Sequence, residues 1–228
     1  MNWNLEWLAA GAFAAAALCP TYGAMASGSA AADARPSHVV RRTRAESPPA
    51  PARKVPNFAG IAWGLTPDQV KAALKEKGYD FTKVDNDGDL WFKGRLGAHD
   101  AIAGALMSPT AGLVKVFVGL LTDDSDALDV YHKTFDALTA RYGKPDHSYE
   151  FYDDPHEKGD GREETAIKVG KGHIAAFWDF ETKDAGLELS VSRGLAVTIA
   201  YQAPGWKKEY DRRHAKALGA ARRQHRTG

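Results

Sequence analysis

Short segments that each contain glycine separate stretches of the chain that alternate like β-strands. The first half of the chain contains two such arrangements: strands 79–84 and 89–96 around the turn 85–88, and strands 101–108 and 113–121 around the turn 109–112. Residues that tolerate left-handed backbone favour tight turns, and connections this short join only antiparallel neighbours. The sequence therefore predicts antiparallel hairpins, which constrain the fold more than any other feature.

The second half of the chain repeats this pattern. Its predicted strands are 148–152, then 165–169 and 173–180 around the turn 170–172, then 187–192 and 195–202 around the turn 193–194. Together the two halves predict a sheet built mainly from sequence-adjacent hairpins.

Two amphipathic helices precede the two groups of strands. Thr66 and Gln69 have the spacing of a capping box, Pro67 suits the first helical position, and Gly78 ends the helix. The second helix starts near Ser125, and its apolar residues recur three and four positions apart until Gly143 and Pro145 end it: Leu128, Tyr131, Phe135, Leu138 and Tyr142. This order predicts an α+β fold in which two helices pack on one face of an antiparallel sheet, and it leaves open a degenerate α-β repeat.

The two ends of the chain are predicted to lie outside the folded domain. Residues 7–18 form a short apolar run, and Ala24-Met25-Ala26 supplies a small-x-small cleavage pattern, so 1–26 is predicted to be a signal peptide. Residues 27–56 read as a disordered linker rich in proline, alanine and arginine, and 207–228 as a basic C-terminal tail. The single domain is then 57–206. Lipid attachment at Cys19 is not expected, because its neighbours do not fit the usual pattern.

The net charge of +1 conceals opposite charges in different segments. Residues 57–206 carry 16 basic and 24 acidic side chains, while 27–56 carry 6 and 2, and 207–228 carry 8 and 2. An acidic domain thus lies between two basic arms. The arms are solvated tails, or they fold back on the acidic domain, or they make weak contacts with anionic lipid or lipopolysaccharide, and no specific nucleic-acid partner is expected.

The opening of the domain carries a family resemblance. Residues 60–70 read Gly-Ile-Ala-Trp-Gly-Leu-Thr-Pro-Asp-Gln-Val, and 142–145 read Tyr-Gly-Lys-Pro. This resembles exported bacterial modules, among them the BamE (SmpA/OmlA) lipoprotein family of the outer-membrane barrel-assembly machinery and the β-lactamase inhibitory proteins. The resemblance implies helices against a small antiparallel sheet, and protein binding without catalysis.

The common catalytic and metal-binding patterns do not fit this sequence. The single cysteine excludes an intrachain disulfide and a four-cysteine zinc site. A calcium loop starting at Asp85 would need glycine at its sixth position and glutamate at its twelfth, where Leu90 and Leu96 stand. No serine lies in a Gly-x-Ser-x-Gly context. We therefore predict no catalytic residue, no metal and no cofactor.

The candidate binding residues come from two places. An acidic, glycine-punctuated loop supplies Tyr152, Asp153, Asp154, His156 and Asp160. It is either a solvated loop or a binding site, and a protein partner fits it better than a metal. The strand 174–180 alternates, with Trp178 on one face and Phe177 on the other. One face is core, and an exposed aromatic face would be a recognition surface.

These observations predict a periplasmic or secreted, non-enzymatic protein-interaction module of the bacterial cell envelope. Two alternatives stay open at this point. One is an inhibitor or chaperone-like partner of an envelope enzyme, and the other is a small-molecule or metal-binding protein.

Overall fold

The structure is a computed structural model that describes residues 53–123, 125–182 and 184–224. The predicted signal peptide, 1–26, and residues 27–52 of the predicted linker lie outside the described residues. The strands are β1 (Asp80–Val84), β2 (Leu90–Leu96), β3 (His99–Ser108), β4 (Gly112–Leu120), β5 (His147–Tyr152), β6 (Gly172–Asp179), β7 (Gly186–Val191) and β8 (Val197–Gln202). The helices are α1 (Pro67–Glu76), α2 (Ala127–Tyr142), α3 (Glu163–Lys168) and α4 (Trp206–Gln224).

All eight strands of the described ranges form one antiparallel sheet, in the order β1-β2-β3-β4-β8-β7-β6-β5. The predicted hairpins β1–β2, β3–β4 and β7–β8 are confirmed by their strand registers. The pairing of β4 with β8 joins the two halves of the chain at the centre of the sheet. As a result, β1 and β5 form the two edges.

The turn between β1 and β2 shows how local sequence sets a hairpin. The Asp85 carboxylate accepts hydrogen bonds from the backbone amides of Asp87 and Asp89, both at 3.0 Å, and from the Trp91 indole at 2.9 Å. Gly88 has a φ of 84°, a left-handed value that a residue without a Cβ adopts at low cost. The aspartate therefore orders the turn and also orients a ring on the following strand.

The predicted helix signals are confirmed. The Gln69 side chain accepts a 2.9 Å hydrogen bond from the backbone amide of Thr66 at the start of α1. Gly143 ends α2 with a φ of 81°, and its amide donates to the Thr139 carbonyl. Both helices place apolar side chains on the sheet, including Val70 and Leu74 from α1 and Leu138 from α2.

The sheet buries its two faces in different ways. On one face, here called the core face, strand residues pack with α1, α2 and α3 in a single large apolar cluster. On the opposite face, here called the outer face, a smaller cluster contains Trp91, Ile102, Leu106, Val114, Phe117, Ala200 and Trp206. Because Trp206 is the first residue of α4, this helix packs on the outer face.

The predicted fold class is therefore wrong. The described residues contain four helices rather than two, strand exceeds helix at 35% against 28%, and helices lie on both faces of the sheet. One error is local: residues 165–169, predicted as a strand, belong mostly to α3, which has Glu163 and Glu164 in its first turn and buries Ala166 and Ile167. Acidic residues near a helix N-terminus stabilise the helix. A helix of six residues is less than two turns long, so its apolar residues do not repeat often enough for the sequence to distinguish it from a strand.

The C-terminal segment folds back on the domain, which is one of the alternatives that its charge leaves open. Residues 207–219 of the predicted basic tail lie within α4, and Glu209 and Arg213 are buried. The Arg213 guanidinium donates to both Asp89 carboxylate oxygens, at 2.6 and 2.8 Å, and to the Met107 carbonyl at 2.8 Å. Its Nε also donates to Glu209 at 2.8 Å. We call this set, Asp89, Glu209 and Arg213, the α4 anchor.

Contacts within and beside the α4 anchor favour the charged forms of Glu209 and Arg213. Burial raises the pKa of the Glu209 carboxyl, but hydrogen bonds from Arg212 and Arg213 outweigh that effect and lower it to about 2. Burial lowers the pKa of Arg213, and the bonds to Asp89 and Glu209 reverse this and raise it above its ordinary value. A satisfied ion network of this kind fixes the helix in one position.

Candidate functional site

The acidic loop after β5 is organised by its own hydrogen bonds. The Asp160 carboxylate accepts from the backbone amides of Arg162, at 2.7 Å, and Glu157, at 3.3 Å. Burial raises the pKa of that carboxyl, and these hydrogen bonds together with the Arg162 cation lower it below its ordinary value. The position of Asp160 is thus explained by loop structure.

The other predicted loop residues are spread along the same segment. Asp153 and Asp154 are exposed, and their backbone is tied to Lys171 by a 2.6 Å bond from the Asp153 amide and a 2.6 Å bond from the lysine ammonium to the Asp154 carbonyl. The Nδ1 atom of His156 is buried and has no hydrogen-bond partner among the described residues. Burial, followed by the Glu150 charge, raises the pKa of Tyr152. These side chains do not converge on one point.

Trp178 is separated from the loop residues by its burial. Its side chain is fully buried on the core face, and its indole nitrogen donates a 2.7 Å hydrogen bond to the Gly143 carbonyl at the end of α2. The residue therefore joins β6 to α2 and is not available at the surface. Within the described ranges, no group of three or more histidine, cysteine, aspartate or glutamate side chains lies together as metal ligands would.

The outer face of β5 and β6 carries the surface that the sequence only partly indicated. Five rings lie there side by side, and we call them the aromatic row: His147, Tyr149, Phe151, His173 and Phe177. The alternation predicted for β6 is confirmed, because every second residue from Gly172 to Trp178 is buried and the residues between them are half-buried. On β5, Tyr149 is 51% exposed and Phe151 is 44% exposed.

The rings of the aromatic row support one another. Phe151 stacks on His173 with centroids 4.9 Å apart, Tyr149 meets Phe177 edge-on at 6.0 Å, and His147 stacks on Tyr149 at 6.4 Å. Such ring pairs contribute about 0.5–1.5 kcal/mol each beyond the area they bury. The row is therefore an ordered surface although it is open to solvent.

The strand register explains why the row is open. Phe177 on β6 pairs with Glu188 on β7, Glu188 pairs with Ala200 on β8, and Ala200 pairs with Phe117 on β4. These four residues form one row across the outer face of the sheet. Phe117 and Ala200, at one end of it, are covered by the cluster around Trp206. Among the described residues, the cover ends before it reaches β6 and β5.

A small pocket lies at one end of the aromatic row. It has a volume of about 110 Å³, its walls include the Phe177 ring and Gln202, and three carboxylates line it: Asp179, Asp184 and Glu188. No lysine or arginine is among the described residues that line it. Ligand pockets for drug-sized molecules have about 300–1,000 Å³, so this pocket accommodates a single small group.

A buried lysine lies on the strand beside one wall of the pocket, because Lys115 pairs with Gln202. Lys115 on β4 is 3% exposed, and its ammonium lies 4.8 Å from the centre of the Trp206 ring. Burial lowers the pKa of this lysine, and the charge of Glu188 partly counteracts that effect. The Glu188 carboxylate thus lines the open pocket and also interacts electrostatically with the buried Lys115 ammonium.

A second concave surface is an open groove of about 550 Å³ beside the β1–β2 turn. Three turns line it: the start of α1 at Thr66 and Pro67, the β1–β2 turn at Asp87 and Gly88, and residues 107–112. Asp87 is the one charged residue among the described residues that line it, so the groove concentrates little chemistry.

Sequence reasoning missed most of the open surface. It identified the strand 148–152 and the exposed face of β6, but it did not compare the two faces of β5. The signal was present, since rings occupy positions 147, 149 and 151, which is the period of a strand.

Comparison with known proteins found no matching family model, no matching curated protein and no matching solved structure. The resemblance to the BamE family therefore stays a prediction based on residues 60–70 and 142–145. No helix of the described residues combines the length and apolar character required to cross a membrane.

Proposed function

We propose that this chain is a non-enzymatic protein-binding module of the bacterial cell envelope, and that it holds its partner on the aromatic row. The observation that carries the proposal is the pair of exposed rings, Tyr149 and Phe151, on an edge strand whose neighbour adds Phe177. Aromatic side chains are enriched at the centres of protein interfaces, where few residues supply most of the binding energy.

Other features support the same proposal. The row is rigid because its rings contact one another, so binding would order few side chains and cost little conformational entropy. The acidic loop borders the row, since β5 ends at Tyr152 and the loop follows directly. Export to the envelope rests on the apolar run 7–18 and the cleavage pattern at 24–26.

The test is site-specific photo-crosslinking of the full chain in its own envelope. A benzophenone amino acid is placed at Tyr149, which is 51% exposed. In the matched control it is placed at Phe81, which is 44% exposed and lies on the opposite edge strand, β1. The proposal expects a polypeptide adduct from position 149 and a much weaker one from position 81. Equal adducts at both positions, or none at 149, would refute it.

The identity of the adduct separates the remaining alternatives. A single enzyme would indicate an inhibitor or chaperone-like partner, whereas several structural envelope proteins would indicate a general interaction module. A small-molecule or metal-binding role is tested separately by the thermal shift of the full chain with divalent cations and a ligand library.

A further inference from the structure

We propose that the occupant of the aromatic row is a basic, extended polypeptide segment that inserts one arginine or lysine side chain into the adjoining pocket. This inference rests on the proposed function, because it names the chemistry of the partner at the same surface. It follows from the shape of the row, from the charges at its end and from the size of the pocket.

The row and the pocket form one continuous surface. Phe177 is the last ring of the row and also a wall of the pocket, and it pairs with His147 on β5. From residue 151 to residue 147 the row follows β5 for about 13 Å at about 3.3 Å per residue. An extended segment of four or five residues spans this distance, with its apolar side chains on the rings and its end at the pocket.

The charges at the pocket favour a cation. Asp179, Asp184 and Glu188 line it, and no lysine or arginine is among the described residues that line it. A guanidinium stacks on an aromatic face and also donates paired hydrogen bonds to carboxylates, so Phe177 and these carboxylates match arginine best. The same charges repel the phosphates of a nucleic acid.

The size of the pocket favours a side chain over a free ligand. A volume of about 110 Å³ corresponds to a few water molecules at about 30 Å³ each. It admits a guanidinium or ammonium group, while the rest of the occupant must lie outside, along the row. A neutral oligosaccharide would use the rings but would form no charge-assisted contact with the three carboxylates.

The experiment is an NMR titration of the isotope-labelled full chain with capped pentapeptides. The probe is Leu-Thr-Leu-Thr-Arg, and its counterpart ends in glutamine. The inference expects the arginine peptide to shift the amides of β5, β6 and the start of β7, and to bind about tenfold more tightly than the glutamine peptide at low salt. The difference is expected to shrink at about 0.5 M salt, where exposed charges are screened.

Two variants and their matched controls test the assignment. Phe151→Ala is expected to weaken both peptides, while Phe81→Ala, with the same exposure on β1, is expected to weaken neither. Asp184→Asn is expected to remove most of the preference for arginine, while Asp80→Asn on β1 is expected to preserve it. Both changed aspartates are exposed, so folding is not at risk.

The outcomes separate this inference from the proposed function. Equal affinity of the two peptides, or tighter row binding by the neutral hexasaccharide maltohexaose, would overturn the basic-segment inference. Shifts of the row that depend on protein concentration without peptide would overturn it in favour of a second copy. If position 149 still crosslinks to a polypeptide in any of these cases, the proposed function stands. If it does not, both fail.

Discussion

Replacing Arg213 by methionine removes the cation of the α4 anchor and keeps a long apolar side chain. The Asp89 and Glu209 side chains are 8% and 4% exposed, so the change leaves two carboxylates with little access to water. Removing one partner of a buried ion pair costs about 3–5 kcal/mol. We therefore expect Arg213→Met to lower the free energy of unfolding by about 3–5 kcal/mol at pH 7, out of a total of about 5–15 kcal/mol for a typical domain.

Urea unfolding followed by circular dichroism measures this loss, and hydrogen exchange of the α4 amides shows whether the helix detaches before the sheet unfolds. Arg212→Met is the matched control. Arg212 binds the same Glu209 carboxylate, but its side chain is 46% exposed, and exposed pairs contribute about 0–1 kcal/mol. The two neighbouring arginines should therefore differ severalfold in their effect.

A rescue variant tests the reason for the loss. Asp89→Asn and Glu209→Gln combined with Arg213→Met remove all three charges of the anchor. The amide oxygen introduced by Asp89→Asn can still accept the 2.8 Å bond that the Met107 amide donates to Asp89. Because no unpaired charge is then buried, the triple variant should be more stable than Arg213→Met alone. A loss below about 1 kcal/mol in the single variant, or a larger loss in the triple variant, would refute the reasoning.

Three further predictions concern single residues. The pKa of Glu209 is lowered to about 2 in the folded protein, so its ionised carboxylate should stabilise the fold by about 3 kcal/mol above about pH 4.5, and this stabilisation should disappear towards pH 2. In unfolding experiments over a pH series, Glu209→Gln should therefore reduce the fall in unfolding free energy between about pH 4.5 and pH 2. Burial lowers the pKa of Lys115, so unfolding free energy should rise with pH towards about 10.5, and Lys115→Met should remove this rise without lowering the melting temperature at pH 7. Gly112→Ala should cost more than Gly88→Ala in melting experiments, since both have left-handed φ but only the Cβ at 112 would lie 2.4 Å from the Gly64 carbonyl oxygen; equal losses would contradict this.

The parts of the fold that the sequence predicted correctly are those that depend on neighbours in the chain. The β1–β2 turn is ordered by the Asp85 carboxylate on amides two and four residues away, and α1 starts with a bond between Thr66 and Gln69. Such contacts leave residue types at fixed short spacings. A pattern search over one sequence can therefore detect them.

The position of α4 could not be predicted for the opposite reason. Asp89 and Arg213 are 124 positions apart. Asp89 lies in an acidic turn and Arg213 in a basic segment, and the composition of each segment is typical of a solvated surface. Only the fold shows that the two charges neutralise each other under a helix. The charge difference between domain and tail was visible in the sequence, but its partners were not.

The anchor also determines which part of the outer face stays open. α4 begins at Trp206, directly after β8, and its next fixed points are Arg213 on Asp89 and Lys216 on Asp87, both at the β1–β2 turn. The helix must therefore run from the centre of the sheet towards β1 and β2, away from β5 and β6. Apolar contacts alone would not fix this direction, because β5 and β6 also present aromatic rings on the outer face, as β2 and β4 do with Trp91 and Phe117. The buried salt bridge between Arg213 and Asp89 fixes the direction of α4. The aromatic row stays exposed because this salt bridge lies at the β1–β2 end of the sheet, opposite β5 and β6.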